Sequence, residues 1–167
     1  MFRAELDGLP IAELSDLPYR STHAGKGHLC GHDGHMVLLL GLARQLARRR
    51  PARGLVVLMF QPAEEEGSGA RAVVADPAFD QIKPDWAFSI HNVPGFPIGH
   101  LGLRAGLVNC ASRGLRITLN GKTSHASEPE AGVSPQAALT ALLPALSALG
   151  TGGVLDDTFR LATITHA

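Results

Sequence analysis

The chain has few of the features that support disulfide scaffolds, nucleic-acid binding or membrane insertion. Its 167 residues include two cysteines, Cys30 and Cys110, so at most one disulfide can form. Lys plus Arg and Asp plus Glu both number 15, and the resulting net charge of zero provides no basic field for nucleic acid or an anionic membrane. No apolar run has the length of a membrane span, and no signal-peptide pattern opens the sequence. We therefore expect a cytoplasmic protein without nucleic-acid or membrane partners.

Alternating strand and helix patterns run through the first part of the chain. Hydrophobic residues make up 45% of the sequence, which suffices for a buried core. The region 34–50 has apolar residues at helical spacing, with Asp33 as the expected N-cap and Pro51 beyond its end. Further expected elements are a strand at 2–6, a buried strand at 54–60, a short helix at 70–75 and a strand at 86–90. This order predicts an α/β fold with a mostly parallel sheet.

The pattern changes near residue 110. The elements expected beyond it are an alternating strand at 112–120, a polar loop at 121–133, a helix begun by Ser134 and Pro135 and kinked or ended by Pro144, and a strand at 159–165. A strand, a helix and a strand in this order suggest an α+β domain. We therefore predict one domain over residues 1–110 and a second over residues 111–167.

Residue types that bind metals follow the predicted strands and precede the first predicted helix. Residues 30–35 bring together a thiol, two imidazoles and a carboxylate. Glu64 and Glu65 come just after the second strand, and His91 comes just after the third. Open α/β sheets place their functional sites beyond the carboxyl ends of the strands, so we expect these side chains to converge.

These residue types favour a hydrolytic metal centre. A thiolate at Cys30 and an imidazole at His32 can reach one ion or two neighbouring ions. The carboxylate of Asp7 or Asp33 could accept the second N–H of His32 and fix its tautomer. Adjacent carboxylates point apart in regular structure, so the pair at residues 64 and 65 is expected to supply one ligand and one general base.

Each of these features also has an ordinary structural explanation. A Cys-x-His pair arises by chance, residues 64–66 could form a solvated acidic turn, and His91 could be a hydrogen-bonded core histidine. Their occurrence together at three successive strand ends favours the metal centre. Four other histidines receive no direct role: His23, His28, His35 and His100. Of these, His28 and His35 flank the site and could support its ligands.

Five sequence blocks together resemble the M20 family of metallopeptidases and amidohydrolases. The blocks are residues 3–11, residues 28–35, residues 60–65, residues 91–99 and residues 121–129. They occur in the family's order and span nearly the whole chain. The most similar branch contains aminoacylase-like, hippurate-hydrolase-like and auxin-conjugate-hydrolase-like enzymes.

The resemblance implies a two-metal hydrolase that cleaves the amide bond of N-acyl amino acids or related small amides. The implied metal ligands are Cys30, His32, Glu65 and His91. Glu64 would be the general base that activates water and then the acid that protonates the leaving amine, and Asp7 would be an orienting carboxylate. The expected ions are Mn²⁺ or Zn²⁺, with Ni²⁺ and Co²⁺ as alternatives, because such mixed donor sets accept several metals.

The resemblance also implies how the two predicted domains are related. Residues 1–110 would form part of a zinc-peptidase-like catalytic domain, and residues 111–167 part of an inserted dimerisation, or lid, domain. In the implied homodimer, His125 would reach the partner subunit's active site and stabilise the tetrahedral oxyanion. Family members are more than twice as long, so we expect a partial chain that lacks a later histidine ligand. His166 is not assigned that role.

Three other functions are weighed against this hydrolase. A truncated, catalytically inactive fragment could act at most as a dimerising or binding module. A zinc-dependent deaminase is disfavoured because the sequence has no Cys-x-x-Cys pair. A serine hydrolase is disfavoured because Ser68 lacks the Gly-x-Ser-x-Gly context of a nucleophile elbow.

Overall fold

A computed structural model describes residues 1–154 and 158–165 of the chain. Contacts between Cα atoms divide the chain into two units, Met1–Ile98 and Gly99–Ala167. The predicted domain boundary after residue 110 stays a prediction. His166 lies outside the described residues.

Three short parallel strands form the sheet of the first unit. They are β1 (Phe2–Glu5), β2 (Leu58–Gln61) and β3 (Phe88–Ser89), in the order β2-β1-β3. The predicted α/β fold with a parallel sheet is confirmed. The second predicted strand is shorter than 54–60, because β1 offers four residues for pairing and its register matches Phe2 with Leu58 and Glu5 with Gln61.

The first helix, α1 (His32–Arg48), packs against β1 and β2. Its inward face includes Leu39, which is buried, whereas Leu40 from the predicted apolar face is 54% exposed. Asp33 was predicted as the N-cap, and this was wrong. The helix begins two residues earlier than predicted because Gly31 has a φ of 87°, a left-handed conformation that turns the chain into the helix at His32. This start places His32 in the first turn, beside the sheet.

Two further helical segments follow β2. The helix α2 (Gly69–Ala75) confirms the predicted short helix, and a 3₁₀ segment (Pro77–Gln81) continues from it. The side chain of Asp76 accepts a hydrogen bond from the Ala78 N–H at 2.8 Å and caps the 3₁₀ segment. The chain then returns to the sheet as β3.

The second unit contains one α-helix among its described residues, α3 (Gln136–Ser147). Ser134 Oγ accepts a hydrogen bond from the Gln136 N–H at 3.2 Å, and the helix continues past Pro144 to Ser147. Strands were predicted at 112–120 and 159–165, and both predictions were wrong for the described residues. A strand requires a paired neighbour, and these segments form only the isolated bridge of Leu161 with Thr151. No described helix combines the length and apolar character needed to cross a bilayer.

Candidate metal centre

The site lies at the carboxyl-terminal edge of the sheet. Asp7 follows β1, the Glu64–Glu65 turn follows β2 and His91 follows β3. Helix α1 presents its first residue, His32, to the same edge, with Cys30 in the turn just before it. The structure therefore brings together the five predicted first-unit donors: Cys30, His32, Glu64, Glu65 and His91.

The donors form two sets that share His32. In the first set, ligand atoms of Cys30, His32 and His91 lie within 4.8 Å of one another, and Cys30 Sγ is 3.4 Å from His91 Nε2. In the second set, His32 is joined by Glu64 and Glu65 within the same limit. His32 Nε2 lies 3.6 Å from Glu64 Oε2 and 3.8 Å from Glu65 Oε1. The two neighbouring sets supply donors for two adjacent ions, and His32 has one free nitrogen with which to bind one of them.

The His32 ring has one nitrogen anchored and the other available. Nδ1 is 2.8 Å from the backbone carbonyl oxygen of Asp7, and because a carbonyl only accepts, Nδ1 carries the proton. Nε2 is buried without a hydrogen-bond partner. In the neutral ring, its lone pair faces two carboxylates, and a positive centre between them, a proton or a metal ion, relieves the repulsion. The residues present therefore fit a divalent metal.

The anchor of His32 differs from the predicted one. We expected a carboxylate of Asp7 or Asp33 to accept the second N–H of His32, but the acceptor is the Asp7 backbone carbonyl. The nearest Asp7 carboxylate oxygen is 3.8 Å from Nδ1. Asp33 instead accepts from the neighbouring Gly34 N–H at 2.9 Å. A main-chain acceptor at the end of β1 still fixes the tautomer that leaves Nε2 free.

The Asp7 carboxylate connects β1 to the acidic turn. Its Oδ2 accepts a hydrogen bond from the Glu65 N–H at 3.0 Å, and its Oδ1 is buried without a partner. Burial raises the pKa of Asp7, but hydrogen bonds from the backbone N–H groups of Glu65 and Glu64 outweigh it, so the pKa is lowered. Asp7 is thus an anion that positions the turn after β2.

The acidic turn after β2 aims both adjacent carboxylates at His32. We expected Glu64 and Glu65 to point apart, as they would in a regular element, and for this turn that expectation was wrong. Ala63 has a φ of 51°, in the left-handed region, and the chain folds back immediately after it. The Gly67 N–H donates to the Glu64 carbonyl at 2.8 Å, which closes the turn.

The surroundings of Cys30 affect its protonation, and those of His91 fix the orientation of its ring. Burial raises the pKa of Cys30, and the charge of Glu65 and then that of Glu64 raise it further. A bound cation has the opposite electrostatic effect and favours the thiolate. His91 donates its Nδ1–H to the backbone carbonyl of Asn92 at 2.7 Å, which leaves Nε2 unprotonated and directed at Cys30.

His125 lies in the second unit, where one nitrogen of its exposed ring contacts Ser127, two residues along the chain. Its Nδ1 is 2.7 Å from Ser127 Oγ and accepts the Ser127 N–H at 3.2 Å. Since the backbone N–H can only donate, Nδ1 is unprotonated and the neutral ring carries its proton on Nε2. The exposed ring therefore offers an N–H donor. Its predicted role opposite an oxyanion stays a prediction.

Sequence reasoning missed a buried polar network beneath the first donor set. Glu5 and His35 are each 2% exposed, and Nδ1 of His35 is 2.8 Å from Glu5 Oε2. Arg3 pairs with Glu5 at 2.6 Å and donates from Nε to Gln61 at 2.8 Å. Burial raises the pKa of Glu5, but the His35 hydrogen bond and the Arg3 charge help to lower it below its usual value. The available signal was the three-residue spacing of His32 and His35, which places both on one face of a helix.

Comparison with known proteins identifies related sequences and folds. The model of peptidase family M20/M25/M40 matches residues 1–165. The chain is 38% identical over 164 residues to an N-acetyldiaminopimelate deacetylase of Geobacillus thermodenitrificans, covering 98% of this chain and 43% of the relative. It is 39% identical over 148 residues to an N-acetyl-L-cysteine deacetylase of Bacillus subtilis, covering 88% of this chain and 35% of the relative.

A solved structure shows the same kind of similarity. The Bacillus subtilis YXEP protein, described as a dinuclear metal-binding peptidase of the M20 family, matches with a TM-score of 0.54 and 41% identity. The match covers 59% of this chain and 27% of that protein. The chain spans between 34% and 43% of the length of these curated relatives.

Proposed function

The chain belongs to peptidase family M20/M25/M40, and from that premise we propose that it supplies the metal centre of an enzyme that hydrolyses the amide bond of N-acyl amino acids. Relatives named as deacetylases of N-acetyldiaminopimelate and N-acetyl-L-cysteine support this substrate class. The observation that carries the proposal is His32, a member of both donor sets whose Nε2 is buried without a hydrogen-bond partner.

The proposed ligands of two divalent ions come from both donor sets. They are Cys30, His32, Glu65 and His91. Thiolate and imidazole donors favour Zn²⁺, carboxylates also accept Mn²⁺, and Ni²⁺ and Co²⁺ are alternatives. The hydrogen bonds that fix the His32 and His91 tautomers each leave the nitrogen nearest the other donors free for a metal.

Glu64 is the proposed general base. Its side chain is 39% exposed, against 24% for that of Glu65, so it is the more accessible of the two for a substrate and a water molecule. Bound divalent ions supply Lewis acidity and lower the pKa of a water molecule near this carboxylate. Glu64 accepts a proton from the water as its oxygen bonds to the acyl carbon. Glu64 then delivers that proton to the nitrogen as the carbon–nitrogen bond breaks, which yields a free amine and a carboxylic acid that releases its remaining proton to solvent.

The second unit has a proposed role in the same reaction. We assign residues 111–167 to a dimerisation domain through which two chains associate. His125 would donate its Nε2–H to the oxyanion in the partner subunit's site. The contacts of Nδ1 with Ser127 support this role, because they keep the proton on the nitrogen that faces outward.

The experiment that tests the proposal compares Glu64→Gln with Glu66→Gln in the metal-loaded chain. Both changes replace one carboxylate of the same turn by an amide of equal size, and Glu66 is exposed and belongs to neither donor set. Release of free amine from N-acetyl amino acids should fall about 10²–10⁴-fold in Glu64→Gln and stay near the parent rate in Glu66→Gln. The metal content should be unchanged in both.

Two results would count against the proposal. Amine release by Glu64→Gln at the parent rate would remove the general base. A parent chain that binds two ions but releases no amine would favour the non-catalytic dimerising or binding module.

A further inference from the structure

A continuous chain of contacts runs from the buried sheet to His91. It begins at Glu5 at the end of β1, passes through His35 on α1 and reaches Asn92 after β3. Asn92 directly follows His91, so the chain of contacts joins three separate elements just beneath the thiol–imidazole set. We call Glu5, His35 and Asn92 the anchor triad.

Both ring nitrogens of His35 make the contacts that join the anchor triad. Nδ1 of His35 donates to the Glu5 carboxylate at 2.8 Å. Nε2 of His35 accepts the Asn92 backbone N–H at 3.1 Å. Asn92 Oδ1 lies 2.9 Å from the same nitrogen as a close contact, because neither atom carries a proton in this tautomer. Both ring nitrogens of His35 are therefore engaged, and its ring also lies edge-on to that of His91, with centroids 4.7 Å apart.

The last contact in this series is a hydrogen bond made by His91 itself. The backbone carbonyl of Asn92 accepts the His91 Nδ1–H at 2.7 Å, and Nε2 of His91 then points at Cys30. His91 belongs to an exposed segment, so solvent alone would not hold its ring in one orientation. The Asn92 carbonyl determines both the tautomer and the direction of His91. His35 binds the N–H of the same residue, in the preceding peptide group, and so holds the Asn92 backbone from its other side.

The anchor triad is not well suited to bind a further metal ion. Ligand atoms of Glu5, His32 and His35 do lie within 4.8 Å of one another. However, an ion there would have to displace a buried hydrogen bond of His35, and the free lone pair of His32 is on the nitrogen near Glu64 and Glu65. Glu5 is also already neutralised by Arg3. These contacts indicate that Glu5 and His35 connect β1 to the segment after β3 and do not bind a metal ion.

We propose that His35 and Asn92 are positioning residues that hold His91 in its metal-binding tautomer, with Glu5 orienting His35. The role in metal binding rests on the proposed function, since it takes His91 to be a ligand. The tautomer itself does not, because it is a property of the metal-free chain. These two parts can therefore be tested separately.

The first test measures the His91 tautomer in the metal-free chain by long-range ¹H–¹⁵N NMR of the histidine rings, at a pH where the ring is neutral. The parent should show the proton on Nδ1. Asn92→Ala and His35→Phe should shift the population toward Nε2–H, with the larger shift in His35→Phe because it removes both contacts to Asn92. His23→Phe, which changes an exposed histidine outside the donor sets, should leave the spectrum of His91 unchanged.

The second test measures Co²⁺ binding through the thiolate-to-cobalt absorption of Cys30. Loss of a residue that orients a metal-binding imidazole typically weakens binding about 10–100-fold, and we expect this for both anchor variants. Circular dichroism verifies that each variant is folded. If His35→Phe does not fold, Asn92→Ala decides, because Asn92 is exposed and its side chain can be removed without opening the core.

The outcomes separate the two proposals. A His91 tautomer unchanged in the folded variants overturns the positioning role, whatever the metal affinity. A shifted tautomer in a chain whose parent gives no thiolate absorption with Co²⁺ supports the positioning role and contradicts the proposed metal centre. A shifted tautomer together with weaker Co²⁺ binding supports both.

Discussion

Substitution of Gly31 by alanine should damage the site through one specific contact. Gly31 precedes α1 with a φ of 87°, and a Cβ placed on it would lie 2.6 Å from Asn92 Oδ1 and 2.9 Å from Asn92 Cγ. Real Cβ atoms do not approach other atoms this closely, so the Asn92 side chain has to move. Its movement breaks the 2.9 Å contact with His35.

Gly25 provides a matched control for the backbone component. It has a φ of 71°, and a Cβ placed on it would meet no atom within 4 Å. Alanine in a left-handed conformation costs about 1–2 kcal/mol at either position. The entropy that alanine removes from the unfolded chain is also common to both variants. Gly31→Ala should therefore be less stable than Gly25→Ala by the cost of crowding the Asn92 side chain, about 1–3 kcal/mol.

Urea denaturation of the metal-free variants gives the two free energies of unfolding, and Co²⁺ binding gives the effect on the site. We expect weaker thiolate-to-cobalt absorption in Gly31→Ala and parent-like absorption in Gly25→Ala. Equal loss of stability in the two variants, with unchanged Co²⁺ binding in both, would refute the claim that Gly31 makes room for Asn92.

Two further outcomes follow from the turn after β2 and from the buried carboxylate of β1. A Cβ on Gly69 would lie 1.7 Å from the Pro62 carbonyl oxygen, so Gly69→Ala should open the acidic turn and lower the free energy of unfolding by about 1–3 kcal/mol in urea denaturation; an unchanged midpoint would contradict this. The pKa of Glu5 is lower in the folded chain than its usual value, so ionised Glu5 stabilises the fold above that value and the stabilisation is lost as the pH falls through the folded-state pKa. Glu5→Gln should therefore flatten the acid side of a stability–pH curve, and an identical slope in parent and variant would exclude this contribution.

The sequence was sufficient to locate the site because its donors follow a general rule of parallel sheets. Polar residues just beyond apolar strands meet at one edge, and the register of Glu5 with Gln61 aligns the ends of β1 and β2. The residues 30–35 carry donors at the start of a helix that packs on the same strands. Positions relative to strand ends were therefore predictable, whereas strand lengths depended on how many residues β1 could pair.

The anchor triad was not predictable from the same patterns. Glu5 occupies a strand position that alternation alone cannot assign to a partner. His35 was expected to flank the site and support its ligands, but its position in the sequence did not indicate which residues it contacts. Their pairing depends on the packing of α1 against β1, which brings residues 30 positions apart within 2.8 Å. The strand predicted at 112–120 failed for a related reason, since alternating polarity describes a half-buried face but does not provide the neighbour that a strand needs.

The charges around His32 are the electrostatic reason to expect a cation at this site. Glu64 and Glu65 approach only one basic group among the described residues, the imidazole of His32, and its proton is on the nitrogen that faces Asp7. The guanidinium of Arg3 is committed to Glu5 and Gln61. Within residues 1–154 and 158–165, the fold thus gathers two carboxylates and a free lone pair at one point, and no Lys or Arg pairs with either carboxylate. In the proposed function, a bound metal ion would remove this repulsion, so the metal affinity of the site and the stability of the fold would be linked.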